Sequence, residues 1–185
     1  DKLIAHPEFT QLPYYVGKAK ALLIFPELVK GGFIVGGEGG TGVLVVRNET
    51  LGWSYPAFYT IAAGSIGLQI GGQVAEVIFT VMSDKAVDAV LDNQFKFGGD
   101  ISIAVGPIGQ GLEASTTTNL DADVYQFAKT AGLFGGLSLE GAGILKRDSY
   151  NEAYYGQGAT PYSIAIESRY SNPNAQSLRD ALAPY

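Results

Sequence analysis

The segment from Gly31 to Gly42, GGFIVGGEGGTG, places seven glycines in twelve positions and leads directly into Val43-Leu44-Val45-Val46-Arg47. Glycine loses more backbone freedom on folding than any other residue, so so dense a block marks close backbone approach, tight turning or a ligand cradle. Two architectures use such a block: a phosphate-binding loop, or a crowded β-sheet. Gly37-Glu38-Gly39-Gly40-Thr41-Gly42 spells G-x-G-x-x-G and follows a strand-like run at Phe33-Ile34-Val35. A dinucleotide cradle then requires a helix whose first amides meet the pyrophosphate. Here three of the four residues after Gly42 are β-branched, which favours a strand, and Glu38 would set a negative charge inside the anion site. No glycine loop ends in Lys-Ser or Lys-Thr, so the P-loop is missing as well. The glycines read as sheet architecture.

With 185 residues the chain makes one domain, able to bury about 70% of its unfolded surface. Its 25 glycines, 11 tyrosines and 9 phenylalanines fit a β-rich body better than a helical bundle. No apolar run approaches the roughly 18 residues that cross a bilayer. The chain has no cysteine, which removes disulfides, thiolate zinc sites and a cysteine nucleophile. The net charge of −6 argues against nucleic acid, which requires clustered Lys and Arg to neutralise phosphates.

Local patterns place the elements. Pro13 suits the first turn of a short helix through Tyr14, Tyr15 and Lys18. Ala19–Phe25 reads as a buried strand closed by Pro26, and Phe33–Gly36 with Thr41–Arg47 as a hairpin turning on the glycines. Trp53–Tyr59 is extended. Ser65–Gln73 alternates apolar and polar in strand fashion, followed by a strand over Val74–Met82. Ser83-Asp84 caps a helix to about Asp92. Asp100–Val105, Gly111–Thr117, Ala122–Lys129 and Gly135–Leu145 are further strands. Ser149-Tyr-Asn-Glu152 forms a capping box, with Gly156 as the stop. Thr160-Pro161 and Asn172-Pro173 start two more helices, the last with Leu178, Ala181 and Leu182 as its apolar stripe. Closing many short antiparallel strands removes exposed edges. The expected fold is therefore α+β, mainly β: a closed or partly closed antiparallel barrel-like sheet with a few short helices.

Catalytic chemistry is thin. His6 is the only histidine, lies in the lead-in, and supports neither a Ser-His-Asp triad nor a metal site. Asp121 and Asp123 follow the polar run Thr116–Asn119; a carboxylate hydrolase with a bound cation is one reading, a turn stabilised by its own side chains the better one. Asp84, Asp88 and Asp92 share a helix face at i, i+4 and i+8, a spacing of mild repulsion rather than of an acid–base pair. No cofactor is expected. Two recognition groups remain. Trp53, Tyr55, Phe58 and Tyr59, joined by Phe25 and Phe33, line an apolar pocket, dip into an interface or form ordinary core. Lys18, Lys20 and Lys30 form a basic cluster suited to a phosphorylated headgroup, or are three solvated lysines.

Several segments together resemble the SYLF domain, also described as an actin-regulating domain in fungi. They are Ala19–Pro26 and Lys30–Leu44, then Trp53-Ser-Tyr-Pro56-Ala-Phe58 as W-x-x-P-x-F, then Gly67-Leu-Gln69-Ile-Gly71-Gly-Gln73 as G-x-Q-x-G-G-Q. Ala104–Gly109, Gly132–Gly141 and Asn151-Glu-Ala-Tyr154-Tyr155-Gly156 follow in the family's order. The resemblance covers about Pro13 to Gly156 and implies a lipid-binding domain without catalysis: lead-in 1–12, core 13–156, helical tail 157–185. The resemblance implies that eukaryotic members bind phosphoinositides and actin, their lipid contact being associated largely with a basic amphipathic N-terminal segment; residues 1–12 here carry one lysine and no arginine. The free-standing type resembles exported bacterial envelope proteins, with a leader or anchor removed. The expected function is thus lipid or phospholipid binding at the bacterial envelope, through Lys18, Lys20, Lys30, Phe33, Trp53, Tyr55, Phe58 and Tyr59. A protein-interaction domain without lipid is the alternative.

Overall fold

The computed structural model describes residues 12–30, 38–48, 52–63, 73–92, 94–96, 101–106, 122–130, 133–135 and 143–184. Among the described residues ten strands form one sheet: β1 (Ala21–Lys30), β2 (Glu38–Asn48), β3 (Gly52–Trp53), β4 (Ala57–Ala63), β5 (Gln73–Val81), β6 (Gln94–Lys96), β7 (Ile103–Val105), β8 (Val124–Thr130), β9 (Leu133–Gly135) and β10 (Gly143–Lys146). Among the described residues five helices accompany it: α1 (Leu12–Lys18), α2 (Asp84–Leu91), α3 (Asp148–Tyr155), α4 (Pro161–Ala165) and α5 (Gln176–Leu182), the last preceded by a 3-10 turn at Pro173–Ala175.

The strands run in the order β6-β10-β4-β2-β1-β5-β8-β7, with β3 against β2 and β9 against β8. All pairs are antiparallel except β7 with β8, which is parallel. Among the described residues the sheet is open, since the edge strands β6 and β7 do not pair with each other. The fully closed barrel is therefore corrected to an open, mostly antiparallel sheet. Both edge strands are three residues long, which limits the unpaired backbone that closure would otherwise cover.

Strand alternation sends side chains to two faces, and both are buried. On one, Leu23 and Phe25 of β1, Leu44 of β2, Tyr59 and Ile61 of β4, and Val77 and Phe79 of β5 meet Ala86, Val87 and Val90 of α2 and Ile164 of α4. On the other, Leu22, Val45, Ile78, Tyr125 and Phe127 meet Leu12, Tyr15 and Val16 of α1 and Leu182 of α5. A sheet covered on both sides explains why strands such as Ala21–Phe25 read as continuous apolar runs.

Gly42 lies inside β2, paired with Tyr59 of β4, so no helix springs from the glycine block there. A Cβ on Gly42 would collide with the Ile24 carbonyl oxygen and the Phe25 ring. The glycine is needed for close approach of backbones, as the sheet reading requires.

Several boundaries differ from expectation. β1 does not stop at Pro26; it runs on to Lys30, and its register with β5 slips between Phe25 and Leu28. A proline cannot donate to a ladder, and a bulge is where a strand tolerates one. The extended run Trp53–Tyr59 divides into β3 and β4 around Pro56. β6 has no counterpart in the sequence reading. α3 begins at Asp148 without a side-chain cap at Arg147, so Ser149 lies within the helix instead of capping it. The reason is the preceding strand: the Arg147 amide already donates to the Phe58 carbonyl, 2.9 Å away. Other signals hold. Ser83 accepts from the Ala86 amide, Gly156 ends α3 at φ 121°, and Thr160 with Ser163 forms a capping box. Asn172 caps the 3-10 turn rather than α5 itself. The expected strands at Phe33–Gly36 and Gly111–Thr117, and most of Ser65–Gln73, lie outside the described residues.

Candidate functional site

The four aromatics of the W-x-x-P-x-F region do not converge on one pocket. Trp53 is 4% exposed under the α1 face. Tyr59 is fully buried under the opposite face and donates to the Val90 carbonyl at 2.8 Å, which ties β4 to α2. Burial, with the Asp148 charge second, pushes the Tyr59 phenol well above the ordinary tyrosine range. Tyr55 and Phe58 are half-buried. Phe58 meets the rings of Tyr150 and Tyr154 edge-on at 6.3 and 5.1 Å.

The segment between β3 and β4 is instead fastened from two sides. From α5, Arg179 stacks on Tyr55 at 4.4 Å and its Nε donates to the Trp53 carbonyl at 2.9 Å; Tyr55 donates to Gln176 at 3.3 Å. From α3, the fully buried Asn151 accepts from the Phe58 amide at 2.7 Å and donates to the Phe58 carbonyl at 3.3 Å. Tyr155 donates to the Pro56 carbonyl. Burial, then the neighbouring Tyr154 and Tyr55, raise the Tyr155 phenol far above its usual range. The N-x-x-Y-Y-G segment is thus the clamp of W-x-x-P-x-F. Sequence reading found both motifs but not their pairing, because their contacts span more than 90 residues.

The lysines are also separated. Lys20 precedes β1 and Lys30 ends it, a ten-residue strand of about 30 Å, so the three lysines do not form one cluster. Lys18 and Lys20 remain near each other. Lys18 ends α1 on its exposed side, 5.9 Å from the Tyr14 ring, and Tyr14 is 60% exposed. Lys20 pairs with Asp84 at 3.0 Å. Phe33 lies outside the described residues.

Arg47, not singled out from sequence, holds α1 in place. Its Nε and Nη2 donate to the carbonyls of Ala19 and Val16 at 3.0 and 2.8 Å, and its guanidinium lies over Trp53 at 4.3 Å. A cation on the last carbonyls of a helix is favourable; burial lowers the Arg47 pKa.

Of the paired carboxylates, Asp121 lies outside the described residues. Asp123 accepts from the hydroxyl of Ser83 at 2.8 Å and from the amide and hydroxyl of Ser102 at 2.9 and 3.1 Å, with Lys85 at 3.5 Å. Burial pushes its pKa upward, but the Ser102 amide, the two serine hydroxyls and Lys85 outweigh that and hold the carboxyl below its ordinary value. These contacts join β7, β8 and the start of α2; they give Asp123 a structural place. Among the described residues no group of three His, Asp or Glu side chains is arranged to hold a metal, and no helix is long and apolar enough to cross a membrane.

One cleft opens beside this region. It encloses about 420 Å³ between the start of β1, the end of β2, α2 and α4, with Val46, Val87, Leu91 and Ile166 as its apolar part and Lys20, Asp84, Asp88 and Tyr162 at its rim.

The fold and these fastenings define an α+β domain built on one mostly antiparallel sheet, its two aromatic motifs locked together. The family described as "Ysc84: Las17-binding protein actin regulator" matches residues 62–185. The SH3 domain-containing YSC84-like protein 1 of Xenopus laevis is 35% identical over 172 residues, covering 92% of this chain and 51% of that protein. Its human counterpart is 33% identical over 170 residues, 91% of this chain and 49% of that protein. Protein YSC84 of Saccharomyces cerevisiae is 34% identical over 166 residues, 88% of this chain and 35% of that protein. The chain thus spans about half the length of the animal relatives it matches, and it belongs to the Ysc84 (SYLF) family.

Proposed function

We propose that this chain is a non-catalytic binding domain that engages a phospholipid surface in the bacterial envelope. The observation carrying the reading is the free side of α1. Its apolar residues Leu12, Tyr15 and Val16 face the sheet, leaving Tyr14 and Lys18 outward. An amphipathic aromatic ring and a cation on one edge suit the headgroup layer. Trp53 then acts as scaffold beneath that edge and Tyr59 beneath the opposite face, while Tyr55 and Phe58 belong to the clamped segment between β3 and β4. The commitment of Asp123 to four donors supports a role without catalysis. The envelope location rests on the resemblance to exported free-standing members and is checked by fractionating native cells.

Sedimentation with vesicles of anionic and neutral phospholipid, across salt concentrations, tests the lipid reading. Retention should fall in a Tyr14→Ala/Lys18→Glu variant and depend modestly on salt, because few charges take part. Protein left in the supernatant with every lipid class sinks it. A second reading, binding of a protein partner, is favoured by the family description as a Las17-binding actin regulator; cosedimentation with actin filaments is its direct test.

A further inference from the structure

We infer that the cleft between β1, β2, α2 and α4 is a site for a small zwitterion, an ammonium group linked to a phosphate, of the phosphocholine or phosphoethanolamine type. The cleft's about 420 Å³ lies in the usual range for small-molecule sites, roughly 300–1,000 Å³. Its lining carries both signs. Lys20 and Arg47 supply positive charge; Asp84 and Asp88, one helical turn apart on α2, supply negative charge. A simple anion meets the two carboxylates, and a simple cation meets the lysine and arginine. A ligand bearing both charges satisfies both.

The groups differ in availability. Arg47 is tied to the α1 carbonyls, so it shapes the local field without reaching into the cleft for a ligand. Lys20 and Asp84 pair at 3.0 Å, but their side chains are 47% and 84% exposed, and such pairs contribute about 0–1 kcal/mol. A ligand phosphate on Lys20 displaces that contact at small cost. The Asp88 carboxylate has no hydrogen-bond or ion-pair partner among the described residues, and neither has the Tyr162 hydroxyl. Tyr162 is 52% exposed and its ring lines the same cleft. An aromatic face beside a carboxylate is the chemistry that holds quaternary ammonium groups. Val87, Leu91 and Ile166 give the methyl or methylene groups an apolar wall.

As a lipid headgroup, this ligand rests on the phospholipid reading above; as a free solute it does not. The test titrates the full chain with phosphocholine, choline chloride and inorganic phosphate by calorimetry, alongside Asp88→Asn and Tyr162→Ala. Both positions are at the surface, where substitutions leave folds intact, and melting curves check this. Phosphocholine should bind saturably and about tenfold more tightly than choline or phosphate alone, the scale of one lost charged contact. Each variant should weaken it by a similar factor. Equal binding of choline and phosphocholine, unchanged binding in both variants, tighter binding of an oligolysine peptide, or no saturation by any probe overturns the site. Phosphatidylcholine vesicles separate the sources. Capture lost in the same variants makes the headgroup the ligand; phosphocholine binding without vesicle capture upholds the site while defeating the phospholipid reading.

Discussion

The two faces of the sheet are both buried, but they are held differently. The α2 face is closed by α2 and α4, and its core contains three of the four largest fully buried side chains, Tyr59, Phe25 and Phe79. Within that core Tyr59 is bonded to the Val90 carbonyl of α2. The α1 face is closed by α1 and α5, the first and last helices among the described residues, and two arginines draw main-chain carbonyls together around Trp53: Arg47 those of Val16 and Ala19, Arg179 that of Trp53 itself. The first face depends on volume and the second on fastening. Fastened layers open without unfolding the whole molecule, whereas a packed core opens with it.

The sharpest way to break the comparison is to intrude on the packed face. Gly42→Ala drives a methyl into the Ile24 carbonyl and Phe25 ring, and backbone cannot move aside as a side chain does. A loss of about 3 kcal/mol follows from such overpacking. The atoms nearest an added methyl at Gly106 are those of the Phe127 side-chain ring, on the other face, and Gly106→Ala should cost about 1 kcal/mol. Urea titration of both variants measures the difference; equal losses would mean the faces pack alike.

Releasing the fastening comes next. Arg47→Ala removes two charged donors from α1 and should cost about 2 kcal/mol. The loss should be local. Hydrogen exchange should quicken at residues 16–18 of α1 while Val77 and Phe79 of β5 keep their protection. Uniform acceleration across both faces would show that α1 is integral to the core.

The smallest effect sharpens the Tyr59 bond of the packed face. Tyr59→Phe should cost about 1 kcal/mol at neutral pH. Its folded-state pKa lies above the unfolded value, so its contribution is complete below about pH 10 and declines as pH rises beyond the ordinary tyrosine value. The variant should therefore lose less stability above pH 10 than the parent. Tyr15, raised by burial on the α1 face, leaves a residual slope in the same direction. Denaturation midpoints from pH 8 to pH 11 give the comparison; parallel curves would place Tyr59 outside the alkaline transition.

Much of the local structure was legible because its causes are local. Ser83, Gly156 and Thr160-Pro161 act within a few residues of themselves, and each occupies the cap or stop its chemistry implies. The β-branched run after Gly42 excluded a helix there for the same reason. The site was less legible. Trp53 and Tyr59, six positions apart, look like one aromatic group, yet they lie under opposite faces. Lys20 and Lys30 look clustered until a strand is drawn between them.

Sequence alone determined the period of each strand, the chemistry of each cap, the glycines that permit close backbone approach, and a motif order sufficient to reveal the family. Tertiary structure decided that the sheet stays open among the described residues, that β7 runs parallel to β8, and that Asn151 and Tyr155 lock the Trp53–Phe58 segment. The division has one physical cause. Propensity and capping are set by neighbours in the chain, whereas strand order and clamping depend on which distant surfaces bury one another, and no short window of residues contains both partners.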